Sequence, residues 1–172
     1  MAIEPGRISS APMSEQPEAR TWIERLGLRR HPEGGWYREL FRAEGEVTRG
    51  ADRRSPLTSI YFLMEAGQIG RWHQVSSDEV WHFLAGDPME VPAFDPRTET
   101  VEVGALGPLP DHSPFHAVRA DWWQASRTLG RYSLVGCTVG PGFDFADFRF
   151  VSDIAGHEAV FEGPLAAFRS LL

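Results

Sequence analysis

The side chains best suited to chemistry fall in one tract, Gly67 to Gly86, GQIGRWHQVSSDEVWHFLAG. It reads as strand, loop, strand. His73 and Glu79 stand on the two neighbouring strands, where an imidazole and a carboxylate converge on one point when both face the same interior. Such a pair suits proton transfer, because a histidine titrates near neutrality. It also suits a borderline divalent cation. His82 lies further along the second strand. Strict alternation keeps Trp81 and Phe83 on the side of Glu79 and turns His82 to the opposite face; a bulge would reverse that. Arg71 is a candidate salt-bridge partner for Glu79, and Arg38 and Arg71 are candidate partners for an anionic ligand. His31, His112 and His157 read as surface or loop residues. Cys137, inside an apolar segment, reads as an inert buried thiol.

Composition narrows the classes of function. The chain has 172 residues, 42% hydrophobic and 24% charged, the balance of one globular domain. A net charge of −7 argues against a nucleic-acid or anionic-membrane partner. No stretch approaches the roughly 18 apolar residues that span a bilayer, and Met1 to Pro12 lacks the apolar segment of a signal peptide. All 17 basic residues are Arg. Schiff-base chemistry, pyridoxal attachment and a P-loop lysine are therefore excluded. There is no Asn, so no glycosylation sequon and no Cys-His-Asn site. A single cysteine permits no internal disulfide and no Cys-cluster zinc site, and fits a reducing, cytoplasmic setting.

These residues need a scaffold. Residues 1–14 read as a flexible tail. A helix follows, with Ser14 as N-cap, Pro17 in its first turn, Trp22, Ile23 and Leu26 on one face, and Gly27 ending it. Short segments rich in β-branched and aromatic residues come next: Trp36 to Arg42, Leu57 to Met64, Val80 to Leu84, Met89 to Phe94, Thr100 to Leu106 and Tyr132 to Val139. Turn signals separate them, among them Pro32-Glu33-Gly34-Gly35 and Gly140-Pro141-Gly142. Strands at this spacing predict an antiparallel sandwich or barrel. Pro164 to Leu172 reads either as a short C-terminal helix with Leu165, Phe168 and Leu172 on one side or as a frayed tail. The organisation expected is one domain over 15–152 and an extension over 153–172.

The spacing Gly67-x5-His73-x-Val75-x3-Glu79-x6-Gly86 resembles the first motif of the cupin superfamily, with Val75 in place of the second histidine. LGLRRHPEGGWYRELFR (Leu26 to Arg42), TSIYFLM, WHQVSSDEVWHFLAGDP, WWQASR and SLVGCTVGPGFDFADF together resemble the Cupin_5 branch of RmlC-like cupins over about residues 21 to 150. The resemblance implies an all-β, double-stranded β-helix (a jelly roll), commonly a homodimer, and no established reaction. The second motif, typically P-x-G-x2-H, reads here Arg119-Ala120-Asp121-Trp122-Trp123-Gln124. Gln124 stands where the last metal histidine would be, and loss of the Pro and Gly puts the local turn in question. The metal set implied is His73, Glu79 and Gln124. It would hold a divalent cation weakly, so no cofactor is assigned with certainty.

The resemblance also implies a barrel interior open to a small molecule. Tyr61, Trp81 and Tyr132 are candidates for its wall, His116 for its mouth, and Arg119 joins the arginines. Three classes of function follow. One is non-redox acid-base catalysis (an isomerase, epimerase, cyclase or lyase), with His73 or His82 as base, Tyr61 or Tyr132 as proton donor, and Glu79 orienting the imidazole. Another is a non-catalytic module for a carbohydrate-like or anionic organic ligand. The last is a metal-dependent oxygenase, disfavoured by Val75 and Gln124.

Overall fold

The computed structural model describes residues 18–172. Helix α1 (Ala19–Leu26) begins after an extended Glu18 and ends at Gly27, whose φ of 62° is the left-handed stop anticipated there. The tail over 1–14, Ser14 and Pro17 lie outside the described residues, and the N-cap of the helix is Glu18 rather than the expected Ser14. Trp22, Ile23 and Leu26 seat α1 against Leu28, Leu63, Tyr132 and Leu134.

Thirteen strands follow: β1 (Arg29–Arg30), β2 (Trp36–Arg42), β3 (Val47–Arg49), β4 (Asp52–Arg54), β5 (Thr58–Glu65), β6 (Gly70–Val75), β7 (Asp78–Gly86), β8 (Met89–Asp95), β9 (Thr100–Leu106), β10 (Phe115–Val118), β11 (Trp123–Thr128), β12 (Tyr132–Gly140) and β13 (Phe148–Phe150). They form a six-stranded sheet, β1-β2-β5-β12-β7-β10, a five-stranded sheet, β13-β6-β11-β8-β9, and the small hairpin β3-β4. The two large sheets pack face to face as a jelly roll. The six predicted segments all lie in strands; β1, β3, β4, β10 and β13 carried too few alternating residues to be read.

Period-two alternation sorts the side chains. On β5, Phe62 and Met64 point between the sheets, while Leu63 points out to α1. Trp81 on β7, Met89, Val91 and Ala93 on β8, and Val135 and Cys137 on β12 join the inner core. The outer face of the larger sheet carries exposed Phe41, Leu84 and Phe115.

The outer face of the smaller sheet is covered by the C-terminal extension. Phe161, Leu165 and Leu171 are buried there with Trp72, Phe94 and Trp123, and Phe168 packs alongside. The expected C-terminal helix is a 3₁₀ segment, Ala166–Leu171. Its three-residue turn lines up Leu165, Phe168 and Leu171, so Leu171 takes the inward place expected of Leu172, which stays 37% exposed.

Candidate functional site

The core fills one end of the roll and leaves a cavity of about 270 Å³ at the other. Its wall comes from the start of β5 (Thr58, Ile60, Phe62), the end of β6 (His73, Val75), the start of β7 (Glu79, Trp81) and the end of β12 (Cys137, Val139). Two further segments complete it. The first is the turn His31–Gly35 between β1 and β2. His31 N–H donates to the Gly35 carbonyl at 3.2 Å, and Gly34 N–H to the His31 carbonyl at 3.1 Å. Gly34 and Gly35 have φ of 124° and 67°. A Cβ on Gly34 would run into the Ile69 carbonyl oxygen, and one on Gly35 into that of Leu63. The double glycine thus lets the turn press on β5 and β6 and insert Glu33, which is 5% exposed. The second is the segment after β12, which brings Phe143, Phe145 and Phe148 to the cavity. Asp147 anchors it through a two-pronged bond to Arg54 at 2.7 and 2.8 Å and an ion pair to Arg49 at 3.0 Å.

Inside, the polar groups are joined in series. His73 Nδ1 lies 2.8 Å from the Arg71 carbonyl. A carbonyl only accepts, so the proton of the neutral ring sits on Nδ1 and Nε2 presents its lone pair. Facing Nε2 at 3.2 Å are Glu33 Oε2 and Gln124 Nε2. Gln124 Nε2 also donates to Glu79 Oε2 at 2.6 Å. The Trp81 indole N–H, which can only donate, binds Gln124 Oε1 at 3.1 Å and fixes which end of the amide faces His73 and Glu79. Cys137 lines the cavity beside Glu79. On the other side of Glu33 stands His31, its Nδ1 3.5 Å from Oε2 and accepting the Glu33 backbone N–H at 3.3 Å.

Burial sets the charge states. It holds the His73 imidazole at about 4, although the bond to the Arg71 carbonyl pulls the other way. Burial, with His73 beside it, holds His31 at about 3. Burial pushes the Glu33 carboxyl well above its ordinary range; the negative charge of Glu79 adds to this and Arg71 opposes it. Glu79 is also raised by burial, but hydrogen bonds from Gln124 and Cys137 pull it back down. Burial raises both carboxyls, and the donors beside Glu79 make its rise the smaller, so Glu33 holds its proton more firmly than Glu79. The Cys137 thiol is pushed up by burial and by Glu79, and stays protonated.

Of the residues singled out from the sequence, His73, Glu79 and Trp81 line the cavity and Gln124 ties the first two together. The rest are not brought to it. Tyr61 and Tyr132 sit on the outer face of the larger sheet, in the cluster under α1, where Tyr132 Oη accepts the Trp22 indole N–H at 3.1 Å. No bulge rescues His82; it faces outward against the Phe115 ring at 5.3 Å. His116 points between the sheets but against Gly104, away from the cavity. Arg38 donates to the Leu26 carbonyl. Arg71 lies over the Phe150 ring and donates to the Pro32 carbonyl rather than pairing with Glu79. Arg119 is exposed, and Arg29 and Arg42 are the arginines at the cavity. Sequence reasoning missed His31 and Glu33, both of which line the cavity. The clue was Glu33 next to paired glycines, a polar side chain borne on a turn that only glycine can press into a barrel.

The match to known proteins is consistent with this frame. The family model described as Cupin superfamily (DUF985) matches residues 20–151. The chain belongs to the Cupin_5 family. Among solved structures, this Cupin_5 chain is similar to a hypothetical protein from Leishmania major, at 31% identity and a TM-score of 0.74, over 85% of this chain and 97% of that one. It is similar to a protein from Shewanella oneidensis at 30% identity and a TM-score of 0.75, over 88% and 92%. Likeness to a Bacillus subtilis oxalate decarboxylase is one of fold alone: 13% identity and a TM-score of 0.56, over 83% of this chain and 34% of that one. No curated protein matches the chain.

Cupins commonly hold a metal where this Cupin_5 chain has His73, Glu79 and Gln124. The donors do not fit one. The Gln124 amide nitrogen, a donor and not a ligand, occupies the point between the His73 lone pair and the Glu79 carboxylate, and the Trp81 indole holds it that way round. Val75 offers nothing at the fourth place. Asp121, at the position of the usual glycine, takes a φ of 65°, a left-handed conformation that Asp tolerates better than most residues.

Proposed function

We propose that the cavity carries out proton transfer without redox chemistry on a small organic molecule, as an isomerase, epimerase, cyclase or lyase does. Glu79 is the base and Glu33 the acid. The supporting observation is that two buried carboxyls share one cavity, linked through His73 and Gln124, with unequal donors that leave Glu79 the more readily ionised of the two. This replaces the tyrosines as donor and His73 as base. A ring held at about 4 is a weak base, and its place between Glu33 and Gln124 suits it to orienting the acid. At about 270 Å³ the cavity lies near the lower edge of the range for small-molecule sites, about 300 to 1,000 Å³. Its aromatic wall favours a compact ring or short chain.

The test is exchange of carbon-bound hydrogen for solvent deuterium. The protein is incubated in D₂O with a panel of small ketones, hydroxy ketones, sugars and keto acids, and followed by NMR. One or more should exchange or isomerise, with Glu79→Gln and Glu33→Gln each slowing the reaction by about 100-fold or more. Ligands that raise the melting temperature yet neither exchange nor convert would favour the non-catalytic binding module instead.

A further inference from the structure

A polar atom on the cavity wall, unpartnered among the described residues, is not used by this machinery. His31 is held in a cage of rings: Tyr37 edge-on at 4.6 Å, Phe62 at 5.9 Å, Phe145 stacked at 6.1 Å and Phe148 at 6.2 Å. Its Nδ1 accepts the Glu33 backbone N–H at 3.3 Å. The ring proton of the neutral imidazole is therefore on Nε2. Nε2 bonds to no other side chain among the described residues, and the ring lines the cavity. The side chain is 7% exposed, and this burial keeps the ring neutral. A neutral imidazole N–H fixed among aromatic rings is a preorganised donor, and such donors act most strongly on negative charge that develops during reaction.

We infer that His31 Nε2–H is the oxyanion donor of this site, and that the substrate is a carbonyl compound with a C–H bond next to its carbonyl. This rests on the proton-transfer reading above. In the step, the Glu79 carboxylate takes the proton from the carbon adjacent to the carbonyl. The C–H electron pair forms the new C=C bond, and the carbonyl π pair moves to oxygen. His31 Nε2–H holds that enolate oxygen. Glu33 then delivers its proton to the enolate, and the pair re-forms a C–H bond at the same or a neighbouring carbon. Glu79 has gained one proton and Glu33 has lost one, and exchange with solvent at the cavity mouth restores both. Nothing is oxidised or reduced.

The test uses 4-nitrophenol, a flat molecule whose phenolate oxygen mimics the enolate and whose ionised form is yellow. The protein carries Glu79→Gln, which reproduces the uncharged base that exists once the substrate proton has been taken. At a pH where the free phenol is mostly protonated, its bound ionised fraction should rise several-fold. His31→Phe, which keeps a ring in the cage and removes the donor, should abolish that rise. His31→Gln, with an amide N–H, should restore part of it. Circular dichroism and melting curves check that each variant folds, and ¹⁵N NMR of the His31 ring should show the proton on Nε2. An unchanged ionised fraction in folded His31→Phe, a proton on Nδ1, or no binding of the phenol to folded protein would each overturn the inference. The deuterium experiment separates the two claims. Phenolate stabilisation without any exchange in the wild type would sink the catalytic reading while leaving His31 as the donor.

Discussion

Glu33 and His73 face each other at 3.2 Å with less than a tenth of either side chain exposed, so neither gains charge without cost. His31 and His73 have folded values of about 3 and about 4, below the ordinary 6.5. At these two rings the folded state thus binds fewer protons than the unfolded state between those values, while the raised Glu33 and Glu79 carboxyls bind more and offset part of the difference. Stability from these two rings is present above pH 6.5 and is lost as pH falls toward 4. Each is fully or largely enclosed, so the combined loss should be several kcal/mol, on the order of 1.4 kcal/mol per pH unit per ring. Calorimetric melting across this range should show a steep drop in the wild type, made shallower by His73→Gln. A flat profile would mean that water reaches these rings. At this scale the sequence was half legible. His73 and Glu79 sit at a spacing that a β-hairpin turns into convergence, and alternation turns His82 outward, against its candidacy as a base. His31 and Glu33 were hidden because their approach depends on how a turn folds over strands roughly thirty to forty residues away, which spacing along the chain does not encode.

The elements that carry the site are unequal in what they tolerate. The β6–β7 hairpin needs ordinary strand residues and could absorb many substitutions. The His31–Gly35 turn could not. Gly34→Ala combines a positive φ with a collision against the Ile69 carbonyl, and should cost about 2–4 kcal/mol. It should also withdraw Glu33 from His73, which NMR titration of the His73 ring would register as a rise toward its ordinary value. A variant with wild-type stability and an unshifted ring would show that the turn has slack. The strands with clear alternation or apolar runs, such as β5, β8 and β12, were readable from sequence because their faces have different neighbours. β11, WQASRT, mixes buried Gln and Ser with Trp because its inner face meets a polar network, and its pattern is correspondingly blurred. The C-terminal segment was placed correctly but wound tighter than expected, which moved its inward residue from Leu172 to Leu171.

At the scale of the whole molecule, the extension over 153–172 is bound into the fold. Phe161 is 1% exposed and packs on Trp72 with ring centroids 5.8 Å apart, on the strand that also carries His73. Phe161→Ala should cost about 3–5 kcal/mol, lower a single cooperative melting transition, and leave no separate early step. Two resolved transitions would mean that the extension melts on its own. Composition predicted one unit of this size, but not that the last twenty residues would roof the smaller sheet.

Cys137 is the chain's only thiol, and it lies 2% exposed on the cavity wall beside Glu79. A labelling reagent therefore has one target and one way in. The speed at which it reacts becomes a clock for the opening of the roll, and a molecule lodged above Glu79 would slow that clock without any knowledge of its chemistry.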